Sequence, residues 1–127
     1  MFLFDTFQPG VLIGTRSLTL DRELVEGWLM LFPADRDGEC MPAGMTAAVY
    51  SRAYSDILLP RPPGNVHGAQ RFRIAKLPSI GDTLVTNLIC ESKELKGDRR
   101  WVRFAAETRR DDGTLLFSSL MTTLWAK

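Results

Sequence analysis

Two neighbouring stretches decide how this chain folds: Met41–Pro60, MPAGMTAAVYSRAYSDILLP, and Arg71–Leu84, RFRIAKLPSIGDTL. The first opens on a small-residue turn, after which apolar residues recur every four positions at Met45, Val49, Ala53 and Ile57, with Ala47, Tyr50, Tyr54 and Leu58 on the adjoining face. Only Ser51, Arg52, Ser55 and Asp56 make a polar stripe, so the spacing predicts a helix over 45–59 with most of its circumference buried. Prolines beginning at Pro60 stop it. The second stretch alternates, with Phe72 and Ile74 on one face and Arg71 and Arg73 on the other, which is the pattern of a half-buried strand over 70–77. It then runs into a Pro-Ser-Ile-Gly-Asp-Thr corner. A helix touched on nearly all sides has to lie inside something, and a curled sheet is the cover that the flanking sequence offers.

Residues 9–20 read as an opening extended segment, and Asp21 is placed to N-cap a short helix, LVEGWLMLF, that Pro33 ends. Residues 34–42, ADRDGECMP, are polar and turn-rich and form a surface loop. After the corner come three long strands over 82–95, 100–110 and 115–126, joined at Lys96-Gly97-Asp98 and at the hairpin signal Asp111-Asp112-Gly113-Thr114. The expected class is α+β: an antiparallel sheet of about five strands curled around one long central helix. With no repeat, linker or low-complexity run, residues 1–127 are expected to form one domain.

Composition narrows the function. At 127 residues and 45% hydrophobic the chain carries material for one core, and its formal net charge of +1 offers no strongly basic surface for nucleic acid or an acidic membrane. Cys40 and Cys90 are too few for a disulfide framework or a metal cluster, and reduced thiols are expected. The start, MFLFDTFQ, lacks a basic region followed by a long apolar run, and nothing approaches the roughly 18 apolar residues of a membrane span. A cytoplasmic protein without metal or cofactor is the expectation.

The stretches PAGMTAAV at Pro42–Val49 and FRIAKLPSIGDTL at Phe72–Leu84 resemble the MaoC-like acyl dehydratase and (R)-specific enoyl-CoA hydratase family. That family carries a His-Gly-Met-type helix start and a Phe-x-x-Pro-Val-x-x-Gly-Asp-Thr-Leu corner. The resemblance spans residues 10–125 and implies the hot-dog fold, an acyl-CoA or acyl-carrier thioester as ligand, and a homo-oligomer in which two sheets join with the pockets at their interface. It also implies that backbone N–H groups at Gly44 and Met45 hold the thioester carbonyl.

In the family a Gly-Asp-x-Asn-Pro-x-His loop before the central helix supplies the acid and base. Here that loop is shorter: Asp35 or Asp37 stands in the place of the family's Asp, no Asn-Pro follows, and Ala43 occupies the position where a His precedes the glycine. His67, the one histidine, is either a structural residue or, with Asp35, Asp37 or Glu39, part of a base rebuilt from a different place. Asp56 on the helix reads as an ion-pair partner of Arg52 or as the water-activating carboxylate found in hot-dog thioesterases. Cys40 has no base at motif spacing. Gly81-Asp82 reads as a turn. Arg71, Arg73, Arg99 and Arg100 are either contacts for coenzyme A phosphates or a solvated strand face. Trp28, Trp101 and Trp125 read as core or interface residues.

The expectation is therefore an acyl-thioester-binding protein related to enoyl-CoA hydratases. Its rivals are a hot-dog acyl-CoA thioesterase and a non-catalytic subunit that pairs with a complete partner.

Overall fold

The computed structural model describes residues 1–127, arranged as β1 (Leu12–Thr19), α1 (Arg22–Leu31), α2 (Met45–Ile57), β2 (Val66–Ile74), β3 (Thr83–Lys96), β4 (Arg99–Arg110) and β5 (Leu115–Trp125). Short 3-10 turns lie at Phe4–Thr6 and Pro33–Asp35. The strands form one antiparallel sheet in the order β1-β3-β4-β5-β2, so the meander β3-β4-β5 is the middle and β1 and β2 are the edges.

Alternation along the meander sorts its side chains by face. Leu84, Leu88 and Cys90 of β3, Val102, Phe104 and Ala106 of β4, and Phe117, Met121 and Trp125 of β5 are buried on the concave side. Met45, Val49, Tyr50 and Ala53 of α2 cover them. The core has two parts along the helix. The N-terminal half of α2 packs with α1, Leu116 and Phe117, and the C-terminal half packs with Phe7, Phe104 and Trp125. Phe104 is the hub of the second part, its ring centroid 5.2 Å from that of Phe7, 5.7 Å from Tyr54 and 5.6 Å from Trp125, all edge-on. The Trp125 indole N–H donates to the Phe2 carbonyl at 2.8 Å, so the N-terminal segment closes that end.

Gly14 of β1 sets how closely the helix approaches its edge of the sheet. A Cβ there would lie 2.7 Å from Ile57 Cγ2, inside van der Waals contact. Asp21 caps α1 by accepting the Leu24 N–H at 2.8 Å, as its place in the sequence suggests. The corner is a turn held by Asp82, whose Oδ2 accepts from the Ser79 N–H at 2.8 Å and from Arg110 Nε at 3.1 Å, while Gly81 takes a φ of +99° that other residues avoid.

Three sequence expectations change. The helix is buried on one side only, because Ala47, Ala48, Ser51 and Arg52 are exposed. A sheet of five strands covers one face of a helix, and periodicity cannot distinguish an alanine packed on a sheet from one facing water. Asp56 pairs with Arg16 of β1 at 3.2 Å rather than with Arg52, because it lies on the flank of α2 that adjoins that strand. The second strand runs from Val66, four positions earlier than its alternation indicates, and ends at Ile74. There the Ala75 and Lys76 N–H groups both turn onto the Leu116 carbonyl, at 2.8 and 2.9 Å, and break the ladder. No helix is long and apolar enough to cross a membrane.

Replacing Phe104 by Ala removes the hub of one core half. The expected loss is about 3–5 kcal/mol, read as a fall in the urea midpoint, whereas Leu95→Ala on the exposed end of β3 is expected to change stability by less than about 0.5 kcal/mol. Equal effects of the two changes would contradict this packing.

Candidate functional site

The N-terminus of α2 is assembled from three segments. Gly44 precedes the first helical residue with helical dihedrals, φ −63° and ψ −25°, and no side chain caps it. The turn before it is tight: the Met45 N–H donates to the Pro42 carbonyl at 3.0 Å and the Thr46 N–H to the Ala43 carbonyl at 3.2 Å. Of the two N–H groups expected to hold a carbonyl, Met45's is therefore engaged within the chain, and Gly44's has no partner.

The Pro33–Asp35 turn brings Asp35 to the same place, where its Oδ2 accepts the Trp28 indole N–H at 3.0 Å. A Cβ on Gly44 would come within 3.0 Å of Trp28 Cζ2 and 3.8 Å of Asp35 Oδ2. Only glycine leaves this N–H beside both a carboxylate and an indole without displacing the ring. Sequence reasoning placed Trp28 in the core or an interface. The signal it passed over is the spacing of seven residues between an indole and an aspartate across a proline-stopped helix end.

The remaining candidates are spread around this point. Asp37 is exposed, and its carbonyl accepts the Cys40 N–H at 2.9 Å in a small local bridge. Glu39 is taken by Arg22 at 2.8 Å. His67 stands opposite Thr123 on the helix-facing side of β2, in a cleft with Tyr50 and Tyr54 on the other flank of α2. One chain thus brings Asp35 to Gly44 and leaves His67 in a separate cavity. Arg71 and Arg73 pair with Leu120 and Ser118, on the face of the sheet opposite to α2, beside Glu91, Ala105 and Glu107.

Two cavities flank the helix. Between α1 and α2 runs an open groove of about 720 Å³ with Leu24, Trp28, Leu31, Met45 and Ala48 along it and Arg52 at its far end. Between α2 and β2 lies a cleft of about 280 Å³ in which Arg61, Asn65, His67 and Gln70 stand beside Tyr50, Tyr54, Val66 and Met121. Burial raises the Tyr50 phenol well above its ordinary 10.0; the same cause raises Tyr54, against the opposing charge of Arg61. Each phenol keeps its proton more firmly folded than unfolded. Their contribution to stability is therefore complete below pH 10 and is lost as pH rises through the raised folded values.

At the level of sequence, neither a protein-family model nor a curated protein matches the chain. Solved structures do. A MaoC-like dehydratase from Rhodospirillum rubrum superposes with a TM-score of 0.82 at 14% identity, covering 100% of this chain and 99% of that one. The unliganded R-hydratase PhaJ1 from Pseudomonas aeruginosa gives 0.73 at 14% identity, covering 98% and 85%. A chain of the C-terminally truncated HadBC (3R-hydroxyacyl-ACP dehydratase) complex from Mycobacterium tuberculosis gives 0.69 at 17%, covering 86% and 90%. At such identities the likeness establishes the fold, which is the hot-dog fold of those dehydratases and hydratases.

Two measurements check this geometry. In an alkaline titration followed by tyrosinate absorbance, little signal is expected near pH 10, with both phenols ionising together as the fold is lost; independent ionisation of both at pH 10 would contradict their burial. Gly44→Ala is expected to shift the fluorescence of Trp28, isolated by difference from a Trp28→Phe variant, while changing the unfolding free energy by less than about 1 kcal/mol.

Proposed function

We propose that this protein binds acyl thioesters, with acyl-CoA the favoured ligand, at the N-terminus of α2. The observation that carries the reading is the free Gly44 N–H beside Asp35 and Trp28. A thioester carbonyl accepting from that N–H would have its developing negative charge stabilised by the helix end, and Asp35 would lie within reach of a water next to it. The apolar α1–α2 groove starts at Met45 and Trp28 and offers a path for an acyl chain. The named dehydratase and hydratase neighbours support the choice of ligand class, as does a Staphylococcus aureus protein solved in complex with CoA, whose fold matches with a TM-score of 0.70.

Hydration of an enoyl thioester needs an acid and a base around one water, and Asp35 is a single carboxylate. A second copy of the chain would supply the other group. The edge of β2 has no neighbour, and two copies paired antiparallel along it would reverse direction with respect to each other. The Ile74 end of β2 packs beside Phe117 and so belongs to the half of the core that holds the N-terminus of α2, whereas the His67 end belongs to the other half. Antiparallel pairing therefore carries His67 of one copy toward the Asp35 end of the other. Arg71 and Arg73 stand on the sheet face opposite α2, so within one chain they lie away from this site and are assigned no contact with the thioester.

The second reading, a subunit that binds thioesters and relies on a complete partner for catalysis, is favoured by the same separation of His67 from Asp35 within one chain. A thioesterase needs only one activated water and the helix N-terminus, and Asp35 alone would serve it.

The test is mass spectrometry of the protein incubated with a panel of 2-enoyl-CoA and saturated acyl-CoA compounds. Water addition is expected on the enoyl series, lost in Asp35→Asn. Release of free CoA would replace the hydratase assignment by a thioesterase, binding without turnover would favour the subunit reading, and absence of binding would overturn the proposal. If His67 acts across the interface, mixing inactive Asp35→Asn and His67→Ala proteins is expected to restore on the order of a quarter of wild-type activity, from the one complete site in each mixed dimer.

A further inference from the structure

The cleft between α2 and β2 differs from the groove on the other flank of the helix in its chemistry. Its walls carry Arg61, His67, Asn65, Gln70 and the hydroxyls of Ser51 and Ser55, with Tyr50 and Tyr54 as aromatic surfaces, and no carboxylate lines it. Arg61 is partly buried at its edge and has no acidic partner. Its Nη1 donates to the Ser55 and Leu58 carbonyls at 3.2 and 3.0 Å, which anchors the guanidinium at the end of α2 and leaves Nε and Nη2 free. The same guanidinium lies 5.6 Å from the centroid of the Tyr54 ring.

The imidazole of His67 has no hydrogen-bond partner in the chain, and the Tyr50 O–H donates to the Met121 thioether at 3.5 Å. Donors held in place around a concave space with no acid among them form a surface complementary to an anion. The ring of Tyr54 adds a flat apolar wall.

We propose that this cleft is an oxyanion-binding site for a small molecule that carries a carboxylate or phosphate on a planar apolar body. The anionic group pairs with the free edge of the Arg61 guanidinium and with His67, and the body stacks on Tyr54. A guanidinium suits either oxyanion, since both present two acceptor oxygens at the spacing of its fork. Strand pairing along β2 would use backbone groups in the plane of the sheet, whereas His67 and Gln70 project from it toward α2. The site shares His67 with the dimeric arrangement proposed above and rests on that residue being free within one chain; neither Gly44 nor Asp35 of the same chain lines it.

His67 is the sole histidine, so its Cε1 proton gives one isolated signal that reports on the cleft. Titration with benzoate and with phenyl phosphate is expected to move that signal saturably, while phenol, which has the ring without the oxyanion, is expected to leave it in place. A response to benzoate alone or to phenyl phosphate alone supports the site and names the anion it takes. Arg61→Gln is expected to weaken binding at least tenfold, and Tyr54→Leu to weaken the aromatic probes while leaving inorganic phosphate unchanged. No saturable shift with either anion, an equal response to phenol, or an unchanged affinity in Arg61→Gln would overturn the proposal. Because Arg61 also anchors the end of α2, His67→Gln measured by calorimetry is the companion variant: binding at least tenfold weaker supports the site, and unchanged binding refutes it.

Discussion

The concave face of β3, β4 and β5 presents apolar side chains from all three strands that water would otherwise meet, and the packing of α2 across them is the contact on which everything else in the molecule depends. Burying a leucine or phenylalanine side chain is worth about 1.5–3 kcal/mol, and this interface holds many of them. It fixes the height of the helix above the sheet, with Gly14 admitting Ile57 on the β1 side and Phe104 supporting Tyr54 toward the other end. Once α2 is seated, its N-terminus has to emerge where α1 and the Pro33–Asp35 turn lie.

That seating also divides the surface by chemistry. One flank of the helix faces α1 and is lined by Met45, Trp28, Leu24 and Leu31, with Asp21, Glu23 and Arg52 among them. The other faces the edge strand and is lined by hydroxyls, two amides, an imidazole and a guanidinium beside Val66, Met121 and the two tyrosine rings. The free N–H of Gly44 and the carboxylate of Asp35 sit at the end of the helix rather than in either cavity. An acyl thioester suits this arrangement because its carbonyl needs a donor at a point and its chain needs a trough leading away from it.

Much of the fold is legible in the sequence. Strict alternation at Phe72/Ile74 against Arg71/Arg73 and at Val102/Phe104/Ala106 identified strands, Asp21 marked the start of α1, and the Gly81-Asp82 corner was read as the turn it is. These signals are local, since the residues concerned lie within a turn or a strand of one another. The exposure of Ala47 and Ala48 and the pairing of Asp56 with Arg16 were not legible, because each depends on which flank of a helix a distant strand approaches.

The candidate site follows the same division. The pattern of residues was enough to establish a curled antiparallel sheet, one central helix and a glycine at its start, because hydrophobic period and turn chemistry are written into neighbouring residues. Folding in three dimensions settled that Asp35 rather than Asp37 meets that glycine through Trp28, that Met45's amide is engaged within the turn, and that His67 and the outward-facing arginines lie on other surfaces. Those outcomes turn on contacts between segments that are far apart in sequence or separated by loops. Their relative placement is set by how the helix packs on the sheet, and no spacing along the chain encodes it.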